Sequence, residues 1–258
     1  MSGVRPIMEG SVMINEETRR KLREMSMEDM ITALDLQDSD LAYTALPFDD
    51  RIKLLVDYTY QEKYNDKVKR LHRQARFRIP SADLNDIYYQ DRGLDKSLLL
   101  ELGTCQFIRT NSNVIFQGFT GSGKSYLACC LGKQACRQGI RTRYIRLPDL
   151  LMLRDEATIG RTGTGKLLTK FSRFNLLVLD EWLFEDLSEP ELHFLFELVE
   201  RRHDETSTVF CTQYKLENWH SRLGGGILAD SIMDRIVHKA VNVYAGNINM
   251  RELLSKAE

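Results

Sequence analysis

Residues 113–138 read NVIFQGFTGSGKSYLACCLGKQACRQ, and this stretch decides the fold. Its centre, residues 118–125, satisfies the phosphate-binding pattern G-x-x-x-x-G-K-[ST] in full. The pattern has meaning only between a strand and a helix. A short apolar run at 113–117 predicts the strand, and an amphipathic stretch from Ser125 to Gly139 predicts the helix, with the glycine as its stop. The stretch therefore predicts a strand, a phosphate-binding loop and a helix, which together form a nucleotide site.

The glycines and the lysine of this loop suit a nucleoside triphosphate bound with Mg²⁺, so ATP and Mg²⁺ are the expected cofactors. Gly118, Gly121 and Gly123 let the backbone fold tightly, so that its N–H groups point at phosphate oxygens. Lys124 would bridge the β and γ phosphates, and Ser125 would hold the metal. The predicted nucleotide-binding residues are Gly118, Phe119, Thr120, Gly121, Ser122, Gly123, Lys124, Ser125 and Tyr126.

A second motif supplies the acids that such a site requires. The apolar run NLLVLDE at 175–181 predicts a strand that ends in two carboxylates. Asp180 is the expected metal-side acid, and Glu181 could orient or polarise the attacking water. A buried structural pair of acids is the alternative interpretation. Nucleotide binding alone does not require Glu181, so the prediction of ATP hydrolysis goes one step beyond the prediction of ATP binding.

Residues 160–167 read GRTGTGKL and look like a second phosphate-binding loop, but their surroundings argue against it. The segment LMLRDEATI before them predicts a helix, and Leu167 stands where a metal-binding hydroxyl is required. We therefore predict one nucleotide site and, here, a flexible Gly/Thr loop that carries Arg154, Arg161 and Lys166. That loop is either an ordinary surface connection or a contact for a phosphate backbone.

Strands and helices alternate through the chain from Asn113 onward. The runs RTRYIRL, NLLVLD, TVFCTQ and AVNVYA predict further strands, with helical stretches between them. This order predicts an α/β fold with a mainly parallel sheet flanked by helices on both faces. The preceding residues favour helices, including one long helix over about 49–78 that Pro80 ends. We predict a small helical N-terminal domain at 1–92 and an ATPase domain at 93–258.

The long helix concentrates positive charge. The whole chain is nearly neutral, with 36 Lys and Arg against 37 Asp and Glu. Residues 63–78 carry seven cations, which only Asp66 opposes. Such a cluster attracts a phosphate backbone even on a neutral protein, although a solvated helix face is the plainer alternative. The hypothesis of duplex DNA binding rests on Lys67, Lys69, Arg70, Arg73 and Arg76, together with Arg161 and Lys166.

Composition argues against several other classes of protein. The five cysteines have no C-x-x-C spacing and the five histidines are scattered, so we expect reduced, mostly buried thiols and no structural zinc site. No apolar run approaches the roughly 20 residues that span a bilayer, and the first residues lack a signal core. We expect a cytoplasmic protein without a membrane partner.

The order of these motifs resembles that of the AAA+ ATPases of the helicase-loader clade, and most closely the IstB-type transposition helpers. In the core the resemblance rests on GFTGSGKSYLA, LLVLDE, TVFCTQ and ILADSIMDRIVH, and before it on KRLHRQARFRIPSADLNDI. It implies three further site residues. Gln213 stands where the family usually has a polar sensor, Arg235 aligns with an arginine that enters a neighbour's site, and Arg251 matches a late sensor arginine that contacts the nucleotide.

If Arg235 enters a neighbour's site, as the resemblance implies, assembly depends on this arginine. A plainer interpretation is an ion pair with Asp230 or Asp234 on its own helix. An arginine offered to a neighbouring subunit makes catalysis depend on assembly. The resemblance thus implies a homo-oligomer with composite ATP sites. The catalytic residues that follow from the motifs and the resemblance together are Lys124, Glu181, Gln213 and Arg235.

The function implied by the resemblance is that of an ATP-dependent, DNA-binding helper of transposition. Such a protein assembles on target duplex DNA and presents it to the transposase of the same mobile element, and ATP hydrolysis drives disassembly. A replicative helicase loader is the alternative, because its ATPase core would look nearly the same. The basic stretch favours the helper, since docking on a helicase calls for an apolar or acidic face. A non-hydrolysing ATP-sensing adaptor is the third hypothesis.

Overall fold

The computed structural model describes residues 14–90, 92–160 and 163–255. The strands are β1 (Asn113–Gln117), β2 (Thr142–Arg146), β3 (Leu176–Asp180), β4 (Ser207–Thr212) and β5 (Ala240–Tyr244). The helices before β1 are α1 (Glu16–Glu24), α2 (Glu28–Ser39), α3 (Leu41–Thr44), α4 (Phe48–Ala75), α5 (Lys96–Gly103) and α6 (Gln106–Arg109). Those after it are α7 (Lys124–Arg137), α8 (Leu147–Ile159), α9 (Thr164–Ser172), α10 (Glu189–Glu200), α11 (Trp219–Arg222), α12 (Gly226–Val237) and α13 (Met250–Ser255). None of the described helices combines the length and the apolar character that a bilayer crossing requires.

The described strands form one sheet in which every neighbouring pair is parallel. Their order across the sheet is β2-β3-β4-β1-β5. Strands β3 and β4 are buried at every position, as expected for central strands that helices cover on both faces. Each strand coincides within one residue with a run that the sequence predicts as a strand. The predicted mainly parallel sheet flanked by helices is confirmed.

Alternation along the strands divides the core into two layers. In β1, Val114 and Phe116 point into a cluster that includes Leu131 of α7. Ile115, between them, points into the opposite cluster with Leu198 of α10. Successive side chains of a strand face opposite sides of a sheet. Both faces are therefore closed by helices, which leaves the edge formed by the strand ends as the place for a ligand.

The chain separates into two compact units, residues 1–69 and residues 70–258. In the described part of the first unit the regular structure is helical, as the sequence predicts. The ion pair between Arg19 and Asp35 joins α1 to α2, and Leu22 is buried. The described residues of this unit form a small group of helices with few buried side chains.

The division between the units lies earlier than the boundary at residues 92 and 93 that the sequence suggests. The last turn of α4 belongs to the second unit, where Leu71, Ala75 and Phe77 are buried in the same cluster as β1 and α7. The change from helices to strands marks the start of the sheet. It does not reveal which core the end of a preceding helix joins.

The described part of residues 160–167 starts directly after α8 and runs into α9. The prediction that a helix precedes them is confirmed, because α8 ends at Ile159. The predicted flexible loop is too long, since α9 begins at Thr164 and Lys166 is therefore helical and exposed. Arg161 lies outside the described residues. A segment without a preceding strand has no sheet edge on which to place phosphate groups.

Candidate nucleotide-binding site

A cleft of about 1080 Å³ opens where the strands end. Arg146 is the last residue of β2, Asp180 is the last of β3, and Gln213 follows β4. All three line the cleft, together with Lys124 and Ser125 at the start of α7. The carboxyl ends of parallel strands are the usual ligand site of an open α/β sheet, so this cleft is the candidate site.

The glycine loop between β1 and α7 uses backbone conformations that suit glycine. Gly121 and Gly123 have φ of 92° and 89°, in the left-handed region that other residues rarely adopt. A Cβ on Gly123 would lie 2.6 Å from the guanidinium of Arg92, and one on Gly121 would collide with the side chain of Asn249. Two segments that are distant in sequence, one with Arg92 and one with Asn249, therefore pack against the loop.

The Lys124 ammonium folds back onto this loop. Its Nζ donates to the carbonyl oxygen of Gly118 at 2.7 Å and to that of Phe119 at 2.9 Å. Burial lowers the pKa of this lysine, and the Arg251 cation acts in the same direction. Hydrogen bonds from a cation to an anion are stronger than those to a neutral carbonyl. A partly buried cation above a glycine cradle therefore fits the phosphates of ATP.

Asp180, the predicted metal-side acid, is buried and held by two donors. Asp180 is 2% exposed; its Oδ1 accepts from the Glu181 N–H at 2.8 Å, and its Oδ2 accepts from the Tyr144 hydroxyl at 2.5 Å. Burial raises the pKa of Tyr144, and the neighbouring Asp180 carboxylate raises it further, so the tyrosine remains a donor. With the Ser125 hydroxyl in the same cleft, the oxygen donors fit Mg²⁺, which prefers carboxylate and hydroxyl ligands.

Glu181 is held by two arginines that sequence reasoning did not place in the site. Its Oε1 accepts from Arg78 Nη1 at 3.1 Å, and its Oε2 accepts from Arg146 Nη1 at 3.4 Å. Arg146 is itself paired with Asp149 on α8 at 2.5 Å. The backbone of Glu181 has φ of 57°, which is uncommon for a residue with a side chain. Both oxygens of this carboxylate thus face a guanidinium.

Two of the residues implied by the family resemblance lie in the cleft. Gln213 lines it, and its Oε1 accepts from the Thr120 hydroxyl at 3.2 Å. Arg251 lines it from α13 and is close enough to Lys124 to affect the pKa of that lysine. Their positions agree with roles as contacts to a bound phosphate, although those roles stay predictions.

Arg235 lies away from the cleft of its own chain. It forms an ion pair with Glu200 on α10, and its guanidinium lies 5.3 Å from the centre of the Phe196 ring. The alternative pairing with Asp230 or Asp234 on the same helix is wrong, because the side chain reaches across to α10. The role of Arg235 in a neighbour's site stays a prediction.

One wall of the cleft comes from a segment that the sequence assigned to the N-terminal domain. Ile87, Tyr88 and Arg92 line it. Arg92 is 2% exposed, and it donates to the carbonyl oxygens of Ala245 at 3.0 Å, of Tyr88 at 3.2 Å and of Ser122 in the glycine loop. No motif or periodicity in the sequence marks this arginine. A buried cation that bonds main-chain oxygens from three segments holds the loop in place.

The cations proposed to meet DNA are exposed where the structure describes them. Exposed residues are Lys67 and Lys69 in the first unit, and Arg70, Arg73, Arg76 and Lys166 in the second. The three arginines near residue 70 precede Arg78, which lines the nucleotide cleft. A basic segment of the second unit therefore leads directly into the site.

Comparison with known proteins places this arrangement in a family. The sequence matches the family described as IstB-like ATP binding protein over residues 20–257. An ATP-binding protein of insertion sequence IS1162 from Pseudomonas fluorescens is 33% identical over 204 residues, which cover 78% of this chain and 87% of that protein. An insertion sequence ATP-binding protein from Sinorhizobium fredii is 30% identical over 250 residues, which cover 95% of this chain and 99% of that protein.

Solved structures agree on the fold. The DnaC helicase loader has a TM-score of 0.53 and 23% identity, over 63% of this chain and 96% of that chain. AMPPCP-bound DnaA from Aquifex aeolicus has a TM-score of 0.53 and 18% identity, over 69% of this chain and 54% of that chain. At such identities the likeness concerns the fold alone. From its sequence match along nearly the whole chain, the protein belongs to the IstB-like family of ATP-binding proteins.

Proposed function

We propose that this protein hydrolyses ATP and that its ATP-bound form assembles on duplex DNA, which it presents to the transposase of the same insertion sequence. One observation carries the proposal. A single cleft combines a phosphate-binding lysine, a metal-side acid and Glu181, and Arg78 in that cleft follows the exposed cations of residues 70–76. The insertion-sequence relatives support the setting in transposition.

The side chains of the cleft divide the work of hydrolysis. Lys124 exchanges its bonds to loop carbonyls for bonds to phosphate oxygens, and Gln213 is placed to contact the terminal phosphate or the water. Mg²⁺, when bound through Ser125 and Asp180, would neutralise charge on the transferred phosphoryl group. Glu181 orients the attacking water and accepts its proton.

Assembly would complete the site, because Arg235 is not among the described residues that line its own cleft. An arginine supplied by a neighbour stabilises transition-state charge without contributing to ground-state binding of ATP. Arg235→Ala should therefore retain ATP binding and lose most turnover, as measured by equilibrium binding and by phosphate release. Arg201→Ala is the matched control, since Arg201 also pairs with an α10 carboxylate, Glu197, at 3.8 Å. Full turnover in Arg235→Ala would refute the assignment.

DNA binding is tested by reversing charge in the basic segment. Arg70→Glu with Arg73→Glu should weaken binding of a labelled duplex in the presence of a non-hydrolysable ATP analogue. The slope of log affinity against log salt should become shallower by about one for each phosphate that the variant no longer neutralises. The control, Lys215→Glu with Arg173→Glu, makes the same charge change at two exposed positions elsewhere. Equal DNA affinity for the double variant and this control would remove residues 70–76 from the interface.

The relatives favour this function over the loading of a replicative helicase. Proteins at 30% and 33% identity carry insertion-sequence names, whereas the likeness to the helicase loader, at 23% identity, concerns the fold. Electron microscopy of the protein with duplex DNA and a non-hydrolysable ATP analogue tests the assembly directly. Ordered particles that require both DNA and nucleotide are expected. Monomers under every condition would overturn the proposal.

A further inference from the structure

Two arginines from distant segments meet where α4 ends beside β2. Arg143, on β2, donates from Nη1 to the main-chain oxygen of Gln74 in the last turn of α4 at 3.1 Å. Arg76 follows α4 directly and is exposed, and its φ of 56° turns the chain at the end of the helix. Strand β2 is the first in the order of the described strands across the sheet. This pair of arginines therefore lies at an edge of the sheet that a large ligand can approach.

The pair has no acid to neutralise it in the described structure. Burial lowers the pKa of Arg143, and the Arg76 cation lowers it further. None of the described acids forms an ion pair with either arginine. The next acid along the chain, Asp83, is paired instead with Arg137 at 2.5 Å. Two like charges held close together are unfavourable in the free protein, so an anion between them would stabilise the arrangement.

The positive field around the end of α4 also includes α7. Burial lowers the pKa of His72, and the Lys133 and Arg137 cations of α7 lower it further. Cations from three separate elements thus act on the same helix end. A field of this extent suits a chain of phosphates better than a single small anion, because successive phosphates can each meet part of it.

Arg143 has hydrogen-bonding capacity left for such a ligand. A guanidinium carries five N–H donors, and the bond to Gln74 is the one that Arg143 forms with the described residues. Its Nε is buried without a partner among them, and an orphaned buried polar atom often marks the place of a water or an ion. Arginine is the side chain best suited to phosphate oxygens, which accept from paired N–H groups.

We infer that Arg76 and Arg143 together bind one phosphate of the duplex backbone, so that the DNA runs from the exposed cations of residues 70–76 along the β2 edge of the sheet. The inference rests on the proposed function and adds a DNA contact from a strand outside the basic segment. A contact to a phosphate reads no base. Since the two arginines share one phosphate, their effects on DNA affinity are coupled and do not add.

The test measures binding of a labelled duplex over a range of salt concentrations in the presence of a non-hydrolysable ATP analogue. Arg143→Gln removes the charge and keeps an N–H group that can donate to Gln74. It should weaken binding about two- to fivefold at a fixed salt concentration, equally for two duplexes of unrelated sequence. The double variant with Arg76→Gln should make the slope of log affinity against log salt shallower by about one, the value for a single phosphate.

The matched control is Arg141→Gln, which removes the same charge from an exposed arginine two residues earlier. The Arg141 guanidinium lies over the Phe174 ring, 4.7 Å from its centre, and has no part in the pair. Its DNA affinity and salt slope should equal those of the wild type. A loss in this control as large as that in Arg143→Gln would mean that only the general charge of the surface matters, which overturns the shared phosphate site.

The other outcomes separate this inference from the proposed function. Unchanged affinity in Arg143→Gln would mean that the arginine only caps the end of α4, and a slope shallower by about two in the double variant would mean two separate phosphates; either result overturns the inference while DNA binding through Arg70 and Arg73 stands. A melting temperature that rises when inorganic phosphate replaces chloride at equal ionic strength, in the wild type and not in Arg143→Gln, would assign the pair to a free anion and also overturn it. Wild-type protein that does not bind duplex DNA overturns the proposed function itself. If Arg143→Gln does not fold, Arg143→Lys keeps the charge without the paired donors, and its coupling to Arg76→Gln decides.

Discussion

Removal of one oxygen atom, in Tyr144→Phe, tests how Asp180, the proposed metal-side acid, is held. The tyrosine is 5% exposed, so phenylalanine keeps the buried ring and loses only the hydroxyl. That hydroxyl donates to Asp180 Oδ2 at 2.5 Å, whereas the Glu181 N–H serves the other oxygen. The substitution therefore deprives one oxygen of a buried carboxylate of its donor.

The expected cost follows from the kind of bond removed. A hydrogen bond to a charged group contributes about 1.5–3 kcal/mol to the free energy of unfolding. In a unit of this size each kcal/mol corresponds to roughly 2–4 °C in melting temperature. We expect the melting temperature of Tyr144→Phe to lie about 3–12 °C below that of the wild type.

The assay is thermal unfolding followed by circular dichroism across a range of pH. The folded protein raises the pKa of Tyr144 through burial and the nearby Asp180 carboxylate. A tyrosine in the unfolded chain ionises near pH 10. A raised folded pKa contributes stability that is fully present below about pH 10 and is lost above it. The difference between wild type and variant should therefore be constant near neutral pH and shrink in alkali.

A matched control is Tyr244→Phe, because it removes the same hydroxyl from a ring that is 51% exposed. Its melting temperature should equal that of the wild type. If Tyr144→Phe also melts within about 2 °C of the wild type, the bond to Asp180 contributes little and the tyrosine is only a packing residue.

Three further substitutions or treatments test the site and the core. Lys124→Ala should lower ATP affinity at least about tenfold through loss of charge-assisted bonds, and titration of a fluorescent ATP analogue checks this; unchanged affinity would remove the lysine from the site. Gly132→Ala places a Cβ within 2.9 Å of Cζ in the buried Phe77 ring. Overpacking costs about 1–3 kcal/mol, and the higher helix propensity of alanine offsets about 1 kcal/mol of this. Denaturant titration should therefore show a free energy of unfolding lower by up to about 2 kcal/mol. A higher free energy of unfolding would mean that Phe77 moves freely. All five cysteines are buried, and burial raises the pKa of Cys130 to about 12. A thiol reagent at pH 8 should therefore react slowly with the folded protein and rapidly once denaturant is added. Rapid labelling of the folded protein would contradict this burial. Since the unfolded thiol ionises near pH 8.5, the stability from these neutral thiols is present below that pH and declines in alkali.

The nucleotide loop and the two acids were predictable because their chemistry lies within consecutive residues. A strand, three glycines, a lysine and a helix start mark the loop between β1 and α7 in the local sequence, whereas the contacts of Arg92 and Asn249 with this loop come from distant segments. The acids at 180 and 181 follow an apolar run that can only be a buried strand. Local patterns of this kind place the glycine loop and Asp180 on the same edge of the sheet.

The arginines on Glu181 depend on tertiary contacts, and only one of them had a usable signal. Arg146 ends β2 in register with Asp180 at the end of β3, and the ends of parallel strands meet at one edge. The same rule that selects Asp180 could have selected Arg146. Arg78 reaches the cleft from a segment before the first strand, and its position depends on how Ala75 and Phe77 pack. No sequence period encodes that contact.

The pair between Arg235 and Glu200 within one chain is compatible with a role in assembly. The two side chains are 25% and 47% exposed, so their ion pair contributes at most about 1 kcal/mol, and the contact with the Phe196 ring adds about 0.5–1 kcal/mol. An arginine that meets the transition state of phosphoryl transfer contributes 10³–10⁵ in rate, or roughly 4–7 kcal/mol. The transition state in a neighbour's site would therefore offer the guanidinium more than it loses. In the proposed assembly, the internal pair with Glu200 would keep the side chain ordered until a second subunit arrives.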